Sequence, residues 1–211
     1  MTRFDPKQLV RAGYDAVSYR YRQDTDEPAE YLAWLADLRQ RVPAGGTVLD
    51  LGCGCGVPVS RSLAAHGYAV TGVDISEVQV RRARLLVPAG TFHRADATGL
   101  DLPAATFDAV VFLYTLIHIP RDEHPGLLSR IAAWLRPGGW LLATTGATSW
   151  EGVEENWLDS GAPMWWSHSD AASYRRRITA AGLHIESEEF VPEGTAGHQL
   201  FWARKAATGV R

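Results

Sequence analysis

Between residues 47 and 145 two patterns alternate along the chain. Short apolar runs bounded by turn residues give way to longer stretches in which apolar positions recur at helical spacing. This alternation predicts a parallel sheet with crossover helices. The strands are expected at 47–51, 68–73, 91–95, 107–112 and 139–145, and each is mostly apolar, as strands covered on both faces should be. Ser76-Glu77-Val78-Gln79 has the form of a capping box, so a helix begins near Glu77. Leu127, Ile131, Trp134 and Leu135 fall on one helical face before Pro137-Gly138-Gly139 ends it. Tyr31, Leu35, Leu38 and Val42 place another helix ahead of the first strand.

Beyond residue 145 the period is lost. Residues 146–168 hold Trp150, Trp157, Trp165 and Trp166, half of the chain's eight tryptophans, and read as a long functional loop or cap. A helix over 170–181 leads through Gly182 to two final strands, 183–190 and 198–204. The seven residues between them, with Pro192, Gly194 and Gly197, are too few for a parallel crossover, so the last pair is antiparallel.

At 211 residues the chain suits one α/β domain. Its net charge of −3 disfavours nucleic acid as a partner, because such binders carry basic stripes to replace phosphate counterions. Arg81-Arg82-x-Arg84 and Arg175-Arg176-Arg177 are short, lie on expected helices and read as solvated faces. No stretch approaches the ~18 apolar residues that span a bilayer, and Met1-Thr2-Arg3-Phe4-Asp5-Pro6 has no apolar core of a leader; a cytoplasmic protein without membrane partners is expected. Cys53 and Cys55 are too close for an unstrained disulfide and read as small buried thiols.

The chemistry concentrates after the first strand. Val48-Leu49-Asp50-Leu51-Gly52-Cys53-Gly54-Cys55-Gly56 places a strand before a glycine-rich turn, and Val57-Pro58 opens a helix behind it. In a doubly wound sheet this turn reaches the crevice where ligands bind. Asp74 ends the second strand, where a carboxylate can accept hydrogen bonds from both hydroxyls of a ribose. Asp96, in Arg94-Ala95-Asp96-Ala97, follows the third strand and is placed to meet an adenine amino group or to serve as an ordinary loop aspartate. Asp108 reads as structural.

In these segments the chain resembles the class I S-adenosylmethionine (SAM)-dependent methyltransferases. VLDLGCGCG is similar to the family's first motif, VTGVDIS to its second, RADA to its adenine contact, FDAVVFLYTLIHI to its fourth strand and LRPGGWLLAT to its fifth. The resemblance covers residues 47–145 well and the flanks loosely. It implies an α/β, Rossmann-like, doubly wound and mostly parallel seven-stranded sheet with an antiparallel terminal strand and helices on both faces. One domain is expected, with an N-terminal helical cap (1–45), a SAM-binding core (46–145), a tryptophan-rich lid (146–169) and a terminal helix and strand pair (170–205).

The resemblance also implies site roles. Gly52, Gly54 and Gly56 would line the methionine side of SAM, and Asp50 would reach its amino group through the loop or water. Asp74 would hold the ribose, Ile75 would pack on adenine, and Ala97 would offer its N–H to the ring. Leu113 and Tyr114 would lie near the sulfonium. Tyr14 and Tyr19 resemble the tyrosine-bearing lead helix of relatives, with Tyr14 toward the cofactor and Tyr19 toward the acceptor; either reads equally as packing.

Methyl transfer depends mainly on alignment, so a base is optional. His118 is the strongest candidate for one, or else it orders its loop. His168, beside Met164, Trp165 and Trp166, either lines an acceptor pocket or belongs to a packed cap; His198 is a weaker candidate. The aromatic inventory favours a small aromatic or apolar acceptor. No metal-ligand spacing, base-methylation motif or nucleophile elbow is present. Two other readings share parts of the pattern: a SAM-binding partner or sensor that does not methylate, and an NAD(P)-dependent oxidoreductase, for which the third glycine falls one position early.

Overall fold

The computed structural model describes residues 4–207. Helix α1 (Pro6–Tyr21) starts where Asp5 accepts hydrogen bonds from the N–H groups of Lys7 and Gln8, with Pro6 in the first turn. Helix α2 (Ala29–Arg41) follows. Then come β1 (Thr47–Leu51), α3 (Val59–Ala65), β2 (Ala69–Asp74), α4 (Glu77–Leu86), β3 (Thr91–Arg94), β4 (Phe107–Phe112), α5 (His124–Trp134) and β5 (Leu135–Gly146). The chain ends in β6 (Trp150–Glu154), β7 (Met164–His168), α6 (Ala171–Ala180), β8 (Leu183–Glu193) and β9 (Ala196–Lys205).

Seven strands form one sheet in the order β3-β2-β1-β4-β5-β9-β8. The first five are parallel; β9 runs antiparallel to β5 and to β8. The period of two along a strand sends alternate side chains to opposite layers. Val110 and Phe112 of β4 join Leu127 and Ile131 of α5 and Tyr174 of α6. Ala109 and Val111 join Leu35 and Leu38 of α2 and Leu63 of α3 on the other side.

Several expectations change. Residues 146–168 are not an irregular loop: β6 and β7 pair as an antiparallel hairpin whose Trp157, Met164 and Trp165 pack on Val10 and Val17 of α1. The sequence lacks strict alternation there because β7 is covered on both faces, with adjacent Met164 and Trp165 both buried, while no residue of β6 is buried. The final two strands are longer than expected, and the turn between them shrinks to Gly194 and Thr195, with Gly194 at φ 56°. Leu135 opens β5 instead of closing α5, opposite Phe107. Pro58 precedes α3 rather than entering it.

The capping box is half made. Ser76 Oγ accepts from Gln79 N–H at 3.1 Å, but the Gln79 side chain turns away and its Oε1 accepts from Ser18 Oγ at 2.9 Å. Arg82 is not part of a solvated face. It is 3% exposed and donates to Ser18 O, Ser18 Oγ, Arg22 O and Asp24 Oδ1, which ties the end of α1 onto α4.

Candidate active site

The ends of β1, β2 and β4 converge on one cavity, and the turns after them supply its polar groups. Gly52 and Cys53 donate their N–H groups to Val73 O at 2.7 and 3.0 Å, which holds the glycine turn against β2. Gly52 (φ 77°) runs so close under the β4 loop that a Cβ would sit 1.9 Å from Thr115 Oγ1. Gly54 (φ 53°) has open space where its Cβ would lie. The turn thus needs glycine for two reasons, close approach at one position and left-handed backbone at both.

Asp74 fastens this turn to the next helix. Its Oδ2 accepts from Gly54 N–H at 2.9 Å and its Oδ1 from Ser76 N–H at 2.8 Å. Burial raises its pKa to about 6 even against those bonds. Behind it, buried Asp50 accepts from Ser60 Oγ at 2.6 Å, and burial raises its pKa to about 7. Asp50 lies in a smaller adjoining cavity with Gly52 and Gly54.

Tyr14, Gly52, Gly54, Asp74, Ile75, Asp96, Ala97, Leu113 and His118, all expected at the site, line the main cavity together. Asp96 is already engaged: Thr98 N–H reaches its Oδ1 at 2.8 Å, and Lys7 Nζ its Oδ2 at 2.9 Å. Burial raises its pKa, but the bonds from Lys7 and Thr98 outweigh that and hold it below the ordinary value. Asp108 holds Thr47 and Arg136, at the other end of the sheet.

Three expected residues lie elsewhere. Gly56 (φ 79°) packs toward Ala83 of α4 and Val87 just past its end, so its backbone lets the turn enter α3 rather than touch a ligand. Tyr19 is 60% exposed and lies under the Arg82 guanidinium, 3.9 Å from ring to Cζ. Five residues along α1 turn it about 140° away from the face that carries Tyr14. His168 Nδ1 bonds Thr148 O at 2.7 Å, and the ring lines an outer groove instead of the main cavity.

The structure adds residues that the motifs did not point to. Lys7 lines the cavity and binds Asp96, Thr98 and Glu123. Gln79 lines both cavities, is 1% exposed, and its Nε2 has no partner. Gln79 Oε1 can only accept, so Ser18 Oγ donates to it while itself accepting from Arg82, and the amide N–H₂ is left free for a ligand. Only its place in the capping box marked it in the sequence.

A buried donor without a partner, a glycine cradle and two carboxylates at strand ends suit a nucleoside bearing an amino acid. The methyltransferase-domain family profile matches residues 20–188. The 27-O-demethylrifamycin SV methyltransferase of Amycolatopsis mediterranei is 33% identical over 200 residues, 90% of this chain and 71% of that protein. The chain belongs to the SAM-dependent methyltransferases. An O-methyltransferase of Pyrenophora dematioidea is 31% identical over 63% of this chain, which spans 53% of that relative. The crystal structure of a SAM-dependent methyltransferase from Mesorhizobium loti superposes with TM-score 0.67 and 26% identity, covering 85% of this chain and 99% of that one.

As a member of the family, the methyltransferase has the expected seven-stranded sheet, and SAM is its cofactor. Among the described residues no group of three or more His, Cys, Asp or Glu is placed to hold a metal ion. No described helix is long and apolar enough to cross a membrane. Cys53 and Cys55 are buried free thiols; burial raises both pKa values, so they stay protonated.

Proposed function

We propose that this methyltransferase transfers the methyl group of SAM to an oxygen atom of a small aromatic or apolar acceptor. The observation that carries this reading is an aromatic wall with a space on either side: Tyr14, Tyr114 and His118 line the cofactor cavity, and against them pack Trp157, His198 and Trp166 of an outer groove of 620 Å³. Small-molecule sites have that size and that largely aromatic wall. The relatives reported above, named for 27-O-demethylrifamycin SV and as an O-methyltransferase, support oxygen as the receiving atom.

Bound in the cavity, SAM supplies an electrophilic methyl group on a sulfonium. The protein's part is to bind and orient. Asp74, its pKa raised by burial, would receive ribose hydroxyls, and the free Gln79 amide would donate from the first turn of α4. The Asp74 pair of charge-assisted bonds is worth on the order of 1.5–3 kcal/mol per bond. His118 serves as a strut in this reading. Its Nδ1 lies 2.9 Å from Trp165 O and its Nε2 3.0 Å from Tyr14 Oη, so a neutral ring donates at Nδ1 and accepts at Nε2. Burial lowers its pKa to about 4, and no lone pair remains for an acceptor's proton.

Thermal-shift and calorimetric titration with SAM, S-adenosylhomocysteine, NAD and NADP tests the cofactor. A response to NAD without one to SAM would overturn the reading. Asp74→Ala should weaken SAM binding by more than about 1.5 kcal/mol. S-adenosylhomocysteine release across a library of phenols, alcohols, amines and thiols then identifies the receiving atom; turnover confined to amines would refute oxygen.

A further inference from the structure

The smaller cavity shares Tyr21, Gly52, Gly54, Gln79 and Leu113 with the main one, so the two spaces adjoin along the glycine turn. Among the described residues two cations line them, Lys7 and Arg22. Lys7 is fully engaged: its ammonium has three protons, and Asp96, Thr98 and Glu123 accept them at 2.9, 2.6 and 2.6 Å. That leaves Arg22. It caps the C-terminus of α1, where its N–H donates to Ser18 O at 3.2 Å and its own carbonyl accepts from Arg82 at 2.8 Å. These two bonds fix the backbone from which the side chain starts. The half-buried guanidinium lies 5.6 and 5.2 Å from the ring centres of Tyr21 and Tyr31, and both rings line the smaller cavity with it. Two acids of its own loop are taken, Asp24 by Arg82 and Glu27 by Arg61, and among the described residues Arg22 forms no ion pair.

An arginine held beside aromatic rings with no acid of its own presents a planar fork of N–H donors that matches a carboxylate. SAM carries a carboxylate and an ammonium on one carbon, and the smaller cavity offers a group of the opposite sign to each. We propose that Arg22 binds the carboxylate of SAM and makes this methyltransferase specific for a cofactor with an intact amino-acid end. The inference rests on the methyl-transfer reading above. Asp50, on the same cavity, is the acid for the neighbouring ammonium. A cation beside it favours its charged form, against the burial that raises its pKa to about 7. Holding both charges restrains the short chain that carries the sulfonium, and alignment of the methyl group depends on that restraint. Arg22 is thus a positioning residue reached from α1, outside the glycine turn and the acids at the strand ends.

The test needs no turnover. Calorimetry compares S-adenosylhomocysteine with its decarboxylated analogue, which keeps the nucleoside and the amine and lacks only the carboxylate. Wild type should bind the analogue roughly 10- to 100-fold more weakly. Arg22→Gln should weaken S-adenosylhomocysteine by a similar factor and leave the analogue within about 2-fold, because the charge that Arg22 met is already gone. Arg22→Lys should recover part of the lost affinity, since it restores the cation without the fork. Equal losses for both ligands would show that Arg22 acts through the fold and would overturn the proposal. Unchanged affinity for S-adenosylhomocysteine in Arg22→Gln would overturn it as well and assign the guanidinium to another anion, such as a carboxylate of the acceptor. In either case the methyl-transfer reading stands; if wild type binds neither ligand, that reading itself fails.

Discussion

The phenol oxygen of Tyr14 lies 3.0 Å from Nε2 of His118, and the other nitrogen of that ring lies 2.9 Å from Trp165 O. One imidazole therefore joins helix α1, the loop after β4 and the lid hairpin over the cofactor cavity. Tyr14 is partly buried and packs edge-on against Tyr21, Trp157 and His118. Burial raises its pKa well above the usual value, so it stays a donor. Tyr14→Phe keeps the packing and leaves the His118 lone pair buried without a donor. The expected cost is about 1–3 kcal/mol, with Tm lowered by roughly 2–4 °C for each kcal/mol. A thermal scan checks it; an unchanged Tm would show that the bond contributes nothing.

Stability should depend on pH through two opposed pairs. Burial lowers His118 and His124 from 6.5 to about 4, so between these values the unfolded chain binds protons first. Their contribution is complete above the unfolded value and is lost as pH falls toward the folded one. Asp50 and Asp74, raised from 3.8 to about 7 and about 6, act the other way and erode stability as pH rises through that range. Asp50→Asn retains an oxygen for Ser60 Oγ and removes one eroding group. Its gain over wild type should be negligible near the unfolded carboxylate pKa and exceed about 1 kcal/mol at mildly alkaline pH. Denaturant unfolding at both pH values measures this; a constant difference would contradict it.

Gly52 and Gly54 separate close approach from backbone strain. Gly54→Ala meets no neighbour and should cost about 1–2 kcal/mol for left-handed backbone alone. Gly52→Ala adds a clash 1.9 Å from Thr115 Oγ1 and should cost clearly more, with SAM binding lost as the β4 loop shifts. Urea unfolding of the two variants ranks them, and equal costs would refute the close approach.

Gln79→Ala removes a donor that has no protein partner. SAM affinity should fall about 5- to 10-fold, near 1 kcal/mol, and unfolding stability should fall as well, by about 1–3 kcal/mol, because Ser18 Oγ loses its acceptor. Calorimetry decides whether the amide faces the ligand.

Arg82→Met keeps the buried stem and removes the hydrogen bonds that hold Ser18, Arg22 and Asp24. About 2 kcal/mol should be lost, less than for a fully buried pair because Asp24 is half exposed and can be solvated. Hydrogen exchange should then quicken around residues 18–24 before the sheet is affected.

The parallel core was legible because its signals are local. The glycine turn, Asp74 at a strand end and Ser76 at a helix start each specify a backbone feature within a few residues, and the structure shows them at those places. Tyr19 and Tyr14 could each be a site residue in the sequence because both fall in one lead helix; only the packing of α1 shows which face is buried. The lid was legible by its tryptophans but not as a hairpin, since β7 is buried at successive positions and β6 at none, which leaves no period of two.

The sequence by itself therefore determined the sheet, the cofactor turn and the family, all products of short-range pattern and motif order. Tertiary structure alone decided which buried polar groups lack partners and which distant side chains meet. Gln79 Nε2 and His198 Nδ1 are free because Ser18 and Glu193 take the other end of each side chain, the first from a helix 61 residues away. Hydrogen-bond satisfaction is a property of the packed molecule and leaves no period in the chain.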